Sequence, residues 1–144
     1  MNQKDNKIFG QKKSRSDCPF CYENIKSEII ERLNSVCAIR DKYPVTSGHI
    51  LIIPVRHSED FFSLSTDERR DAEALLLLMK ERILGRDSSV TGFNIGANCG
   101  KSAGQTVFHA HIHLIPRRDG DTPNPGGVSG VSSRIKCHIE FLRK

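Results

Sequence analysis

Three histidines placed at every second position constrain the fold of this chain more than any other feature of its sequence. His109, His111 and His113 alternate with apolar residues in the segment GQTVFHAHIHLIP, which covers residues 104–116. A two-residue period is typical of a β-strand, so the spacing predicts a strand whose three imidazoles share one face. His109 and His113 would then lie about 13 Å apart along the backbone, and a straight strand cannot bring all three onto one zinc ion. We therefore expect the three histidines to have different tasks.

The segments before this row predict a mostly antiparallel sheet with one long helix laid across it, which is an α+β fold. Apolar runs indicate strands at residues 36–40, 50–53 and 90–95, and charged residues with spaced isoleucines indicate a short helix within residues 22–32. The run at 50–53 has no polar position, which is typical of a central strand covered on both faces.

The long helix carries signals at both ends. Ser65 and Glu68 have the spacing of a capping box, and the apolar repeat continues until Gly85. Leu77 and Leu78 widen the apolar face beyond the stripe that a sheet requires. Two interpretations stay open from the sequence: a deeply seated helix, or a helix that also packs against a second subunit.

The charge of the chain is concentrated at its start. Residues 1–16 hold five basic residues and one acidic residue, which accounts for most of the formal net charge of +5. We expect a mobile basic tail at residues 1–16 and one domain at residues 17–130. Because a solvated tail explains the charge, nucleic-acid binding is weakly indicated. The sequence contains no apolar run long enough to predict a membrane span.

Five cysteines and no secretion signal predict reduced thiols in a cytoplasmic protein. Cys18 and Cys21 form a CxxC pair, which by itself fits half of a metal site and a redox pair about equally. Histidines downstream favour the metal site. Residue spacing alone does not choose between His57 and His49 as a further ligand.

The histidine row also has a specific resemblance. HAHIHLI fits the pattern His-φ-His-φ-His-φ-φ, where φ is apolar, and with GHILIIPVRH at residues 48–57 and GDTPNPGG at residues 120–127 the chain resembles the histidine triad superfamily from about Cys18 to Gly130. The resemblance implies an antiparallel sheet of about five strands with one long helix packed across it, and homodimers formed through that helix and a sheet edge. It also implies cleavage of purine nucleotides at the α-phosphorus, as in nucleoside phosphoramidates and dinucleoside polyphosphates.

The same resemblance implies the roles of individual residues. His111 is the expected nucleophile, which forms a covalent nucleotidyl-imidazole that water hydrolyses. His113 is expected to assist the phosphate and the leaving group, with His49 and His109 as further catalytic histidines. Fixed donors rather than magnesium would offset the phosphate charge. The residues expected to bind the nucleotide are Asp41, Asn98, Gln105, Thr106, His111 and His113.

Some members of the superfamily bind a structural zinc ion, and the resemblance implies a ligand set here. The matching residues are Cys18, Cys21, His57 and His109, a closed set that leaves no open position for catalysis. After Gly127 the chain departs from close relatives, which makes residues 131–144 a divergent C-terminal tail. Because that end helps to select the substrate in the superfamily, the substrate stays open.

Two other functions fit parts of the sequence. A metal-dependent hydrolase would use His109 and His111 to chelate a catalytic ion, but the motif holds no acidic residue to act as a general base. A zinc-stapled nucleic-acid-binding module would use the CxxC pair and the basic tail, and its binding would depend steeply on salt. The histidine pattern favours the nucleotide hydrolase over both.

Overall fold

The structure is a computed structural model that describes residues 16–123. Apart from Ser16, the predicted tails at residues 1–16 and 131–144 lie outside these residues. Within the described part, no helix has the length and apolar character needed to cross a bilayer.

Five antiparallel strands form one open sheet in the spatial order β1-β2-β3-β5-β4. A long helix packs on β1, β2 and β3, which confirms the predicted α+β class. Two short 3-10 turns, Phe61–Ser63 and Lys101–Ala103, lie in the connections. The main elements are α1 (Tyr22–Ile25), β1 (Ile29–Leu33), β2 (Val36–Arg40), β3 (Ile50–Pro54), α2 (Thr66–Arg86), β4 (Gly92–Gly96) and β5 (Ile112–Arg117).

The central strand β3 is buried along its whole length because both faces of the sheet are covered. On one face, Ala72, Leu75 and Met79 of α2 pack against apolar side chains of β2, β3 and β5. On the other face, Ile25 of α1 packs with Cys37 and further residues of β2 and β3. The second layer explains why the run at residues 50–53 shows no alternation.

The capping box at the start of α2 forms as predicted. The backbone N–H of Glu68 donates to the Ser65 hydroxyl at 3.1 Å, and the backbone N–H of Ser65 donates to the Glu68 carboxylate at 2.9 Å. The helix leaves Leu77 and Leu78 exposed, at 57% and 40% of their surfaces. The predicted homodimer remains a prediction, since the structure holds one chain.

Two predicted elements differ from the structure. The helix predicted within residues 22–32 ends at Ile25, and the following residues form β1, which pairs with β2 through a tight turn. Asn34 in this turn has a φ of 50°. Pairing with β2 overrides the weak helical pattern, because β-branched Ile29 and Ile30 suit a strand.

The histidine row is the second difference, because β5 begins only at Ile112. Of the three histidines, only His113 lies within the strand. The backbone N–H of Ala110 donates to the Ser58 carbonyl at 2.6 Å, so the segment before β5 is held by the loop that follows β3. This non-local contact interrupts a strand that the period alone predicted to be longer.

Candidate functional site

Four buried side chains from three separate segments form a compact cluster, which we call the Cys/His cluster: Cys18, Cys21, His57 and His109. Their potential ligand atoms all lie within 4.8 Å of one another. Sγ of Cys18 lies 3.4 Å from Nδ1 of His109, and Sγ of Cys21 lies 3.3 Å from Nδ1 of His57. The structure therefore brings His57, and not His49, to the two cysteines.

The geometry of the Cys/His cluster fits a tetrahedral zinc site. Bonds of about 2.3 Å to sulfur and 2.0–2.1 Å to nitrogen would separate the two ligand atoms by about 3.6 Å, close to the observed 3.3–3.7 Å. The Nε2–H of His109 donates to the Pro54 carbonyl at 2.9 Å, which leaves the Nδ1 lone pair turned toward the sulfurs. A histidine that binds a metal through one ring nitrogen usually donates a hydrogen bond from the other.

His49 and His113 form a hydrogen-bonded pair beside Asp41, away from the Cys/His cluster. Nε2 of His49 lies 2.9 Å from Nδ1 of His113. The Asp41 carboxylate lies 3.4 Å from His49 and 3.9 Å from His113. Nε2 of His113 is buried and has no hydrogen-bond partner within residues 16–123. A buried polar atom without a partner is costly, so this nitrogen is a candidate contact for a bound ligand.

His111 lies between these two groups. Its Nδ1–H donates to the His109 carbonyl at 2.8 Å, and its ring centroid lies 5.2 Å from that of His113. Phe20 contacts the same imidazole at 4.9 Å between ring centroids, in an edge-to-face arrangement. Because Nδ1 is used as a donor, the lone pair of neutral His111 resides on Nε2.

Burial keeps four imidazoles of the site neutral at pH 7, namely those of His49, His109, His111 and His113. It lowers the pKa of His113 to about 3, with His111 and His49 adding to the effect, and that of His109 to about 4. Burial also lowers the pKa of His49 and of His111, against the opposing influence of Asp41 on each. A neutral imidazole is the form that acts as a nucleophile.

A pocket of about 830 Å³ opens onto three of the histidines. It is lined by His49, His111 and His113, whereas His109 does not line it. Of the other predicted nucleotide contacts, Asp41, Asn98 and Thr106 line the pocket. Its remaining wall is largely apolar and includes Phe20, Ile25, Ile39, Leu51 and Val107. The size and the mixture of apolar and polar walls suit a small organic ligand.

Gln105, the remaining predicted nucleotide contact, uses its side-chain amide in hydrogen bonds within the protein. Its amide nitrogen donates to the carbonyls of Glu59 and Val107, at 2.7 and 3.0 Å, and its amide oxygen accepts the Gly100 N–H at 2.7 Å. Both amide hydrogens are therefore in use, and Gln105 does not line the pocket. It braces the loop that carries Gly100, whose φ of 88° favours glycine.

His109 is predicted among both the catalytic histidines and the zinc ligands. Its side chain lies in the Cys/His cluster, and its carbonyl accepts the Nδ1–H of His111. Sequence reasoning missed Phe20 and Val45. The position of Phe20 between two predicted ligands was the available signal for the first, and no sequence signal marks the backbone N–H of Val45, which donates to Nδ1 of His49 at 3.0 Å.

Comparison with known proteins assigns the family. Residues 22–120 match the profile of the HIT domain, and these residues include the whole sheet and the histidine row. The chain belongs to the HIT domain family, as its resemblance to histidine triad proteins predicted.

Individual relatives agree with this assignment. An uncharacterized 16.1 kDa HIT-like protein of Mycoplasma pneumoniae is 35% identical over 140 residues, which cover 93% of this chain and 95% of the relative. The crystal structure of a Zn-bound histidine triad family protein from Mycobacterium smegmatis has a TM-score of 0.65 and 28% identity, covering 88% of this chain and 97% of that one. An AP-4-A phosphorylase of Mycobacterium tuberculosis is 34% identical over 95 residues, which cover 65% of this chain and 48% of the relative. This chain thus spans about half the length of the phosphorylase.

Proposed function

We propose that this protein is a nucleotide hydrolase that cleaves at the α-phosphorus through a covalent nucleotidyl intermediate on His111. Its substrates would be nucleoside phosphoramidates or dinucleoside polyphosphates with a purine base. The observation that carries the proposal is the bond from Nδ1–H of His111 to the His109 carbonyl at 2.8 Å. This bond reserves Nε2 as the nucleophilic nitrogen of a side chain that lines the pocket.

His113 is suited to hold the phosphate that His111 attacks. Val45 donates to Nδ1 of His49, so the proton of neutral His49 resides on Nε2, which donates to Nδ1 of His113. The proton of His113 is then on Nε2, the buried atom that has no hydrogen-bond partner among residues 16–123. A phosphate oxygen is an acceptor that would complete this chain of hydrogen bonds.

The rest of the pocket offers separate regions for the parts of a nucleotide. The apolar wall around Phe20 and Ile25 suits a purine ring. Asp41 would accept from ribose hydroxyls, while Asn98 and Thr106 would donate to phosphate oxygens. The Oδ1 of Asp41 already accepts the Tyr43 N–H at 2.9 Å, which fixes the direction of the carboxylate.

The reaction can be written with these residues alone. The Nε2 lone pair of His111 bonds to the α-phosphorus while the bond to the leaving group breaks, and the leaving group departs with that electron pair and takes a proton from water. Water then attacks the phosphorus, loses a proton to solvent, and the electron pair of the phosphorus–nitrogen bond returns to His111. His113 donates a hydrogen bond to the phosphate throughout both steps.

We further propose that the Cys/His cluster binds zinc as a structural ion. The two thiols and two imidazoles are ligands that zinc prefers, and four of them leave no position for a catalytic water. When bound, zinc would cross-link the CxxC turn to the loops that carry His57 and His109. The step at phosphorus would not use this ion, and fixed donors such as His113 rather than magnesium would offset the phosphate charge.

Inorganic phosphate is a second candidate acceptor for the nucleotidyl group, because one relative is named an AP-4-A phosphorylase. If inorganic phosphate rather than water accepts the nucleotidyl group, diadenosine tetraphosphate yields ADP in addition to ATP. Water as the acceptor yields AMP and ATP. Chromatography of the products formed with and without phosphate distinguishes the two reactions.

The function itself is tested by incubating the purified full chain with an adenosine phosphoramidate and with diadenosine tetraphosphate. AMP release should persist in the presence of a magnesium chelator. No turnover of either substrate, or turnover that requires added magnesium, would contradict the proposal.

A further inference from the structure

One turn of the chain belongs to both the Cys/His cluster and the pocket. Cys18 and Cys21 contribute their thiols to the cluster, whereas Pro19 and Phe20 between them line the pocket. The backbone N–H of Cys21 donates to the Cys18 carbonyl at 3.3 Å, and the amide of Asn24 donates to the same carbonyl at 2.7 Å. Because the turn is closed and braced in this way, a shift of the two cysteines would also shift Phe20.

Besides its contact with His113, the His111 ring has two contacts with residues tied to the Cys/His cluster. Phe20 meets the imidazole edge-to-face at 66° between ring planes. The Nδ1–H is held by the carbonyl of His109, whose own side chain lies in the cluster. The orientation of His111 therefore depends on the positions of at least two cluster segments.

The remaining cluster segment is joined to these two. The backbone N–H of Ala110 donates to the Ser58 carbonyl at 2.6 Å, which links the residue after His109 to the residue after His57. The rings of His57 and His109 also pack against each other, with 4.9 Å between centroids. All three segments that carry potential ligands thus meet beside His111.

We propose that the Cys18–Cys21 turn couples metal binding in the Cys/His cluster to nucleotide binding in the pocket, with Phe20 as a positioning residue for His111. The inference rests on the proposed function, since it requires a nucleotide in the pocket and a metal in the cluster. A bound metal fixes the turn and so fixes Phe20. A nucleotide that contacts Phe20 stabilises the same position of the turn, and thermodynamic linkage then requires that each ligand raise the affinity for the other.

The experiment measures zinc affinity of the full chain by equilibrium competition with a chromogenic chelator, with and without AMP. The AMP concentration is set to saturate each variant according to calorimetry, and a protein-free blank corrects for zinc bound by AMP. We expect AMP to raise the zinc affinity about fivefold or more. The Phe20→Ala variant keeps all four residues of the Cys/His cluster. Its zinc affinities with and without AMP should agree within about twofold, because two uncoupled sites do not change each other's affinity.

Phe62 supplies a matched control, because it is 77% exposed and does not line the pocket. Phe62→Ala should keep the full effect of AMP on zinc affinity. Phe20→Leu guards against a variant that fails to fold: it keeps an apolar side chain of similar size but no ring, and should bind zinc with a weaker AMP effect than the wild type. The nucleotide-dependent part of the zinc affinity is a readout that a purely structural role for Phe20 would not change.

The inference is overturned if calorimetry shows AMP bound to the wild type while its zinc affinity stays the same. It is equally overturned if Phe20→Ala or Phe20→Leu retains the full wild-type effect. A wild type that binds no AMP in calorimetry would contradict the proposed function as well, and calorimetry therefore separates the two failures.

Discussion

Nε2 of His49 lies 2.9 Å from Nδ1 of His113, and the backbone decides which of the two nitrogens carries the proton. The Val45 N–H donates to the other nitrogen of His49, so Nε2 of His49 must be the donor of the pair. The proton of His113 is thereby placed on its buried Nε2. This donor has no acceptor in the described part of the chain and is fixed in place before any ligand arrives, which is the arrangement expected of a preorganised anion contact.

Replacing His49 should therefore weaken the chemical step through His113. In His49→Ala we expect kcat to fall by about 10- to 100-fold, corresponding to the loss of one buried hydrogen bond worth about 1–3 kcal/mol. His49→Gln, whose amide can still donate toward His113, should recover part of that loss. Steady-state kinetics on an adenosine phosphoramidate measures kcat for both variants. Equal rates would argue against a role for the hydrogen bond that residue 49 donates to His113.

Loss of one thiol should remove both the metal and part of the stability. Cys18→Ser should bind less than half an equivalent of zinc and melt several degrees lower, because metal binding free energy is partly folding free energy. Cys99→Ser is the matched control, since this cysteine lies outside the Cys/His cluster. Elemental analysis and thermal unfolding test the prediction, and a Cys18→Ser protein with wild-type zinc content and stability would refute it.

The carboxylate of Glu68 should make stability depend on pH. Burial raises its pKa, but hydrogen bonds from Arg56 and Ser65 outweigh burial, and the net pKa lies below the ordinary 4.5. A lowered carboxylate pKa stabilises the fold above the unfolded-state value, and this stabilisation is lost as the pH falls through the folded-state value. Glu68→Gln should thus cost about 1–2 kcal/mol at pH 7 and much less at an acidic pH below the folded-state pKa.

Urea unfolding at the two pH values measures the difference between Glu68→Gln and the wild type. Glu73→Gln, on an exposed position of the same helix, controls for the loss of a helical charge. A cost that is the same at both pH values would show that the carboxylate charge does not contribute.

The exposed leucines of α2 predict a dimer. Light scattering at micromolar concentration should give a mass twice that of the 16.2-kDa chain, and Leu77→Glu should shift it toward the monomer because a charge would be buried in the interface. Leu84→Glu, another exposed leucine on the helix, maps how far such an interface extends. A monomeric wild type would contradict the prediction.

Local signals in the sequence were sufficient for much of the fold. The capping box of Ser65 and Glu68 depends only on neighbours in the chain, and its prediction is confirmed. The unbroken apolar run of β3 reflects burial on both faces of the sheet, which is also confirmed. The strand β1 was missed because its charged Glu31 and Arg32 hide the pattern. Its partner is β2, and Arg82 of α2 holds Glu31 at 2.6 Å, so the decisive contacts are partly non-local.

The site shows the same division. Strand geometry predicts that the three imidazoles do not converge on one ion. The structure places His109 in the Cys/His cluster and His111 and His113 at the pocket, although only His113 lies within β5. The hydrogen bonds of the Gln105 side chain could not be predicted from the sequence, because one acceptor is the Glu59 carbonyl, which is distant in sequence. The contact of Phe20 with His111 likewise depends on how the CxxC turn docks on the sheet.

The central claim is that His111 becomes covalently nucleotidylated, and trapping that intermediate tests it most directly. The protein is mixed with an adenosine phosphoramidate and quenched within milliseconds at alkaline pH, where a phosphorus–nitrogen bond to imidazole survives, and its peptides are then analysed by mass spectrometry. We predict one adenylyl group on His111 in the wild type and none in His111→Ala, which should lose turnover while still binding AMP. An adduct on another residue, or wild-type turnover in His111→Ala, would contradict the mechanism.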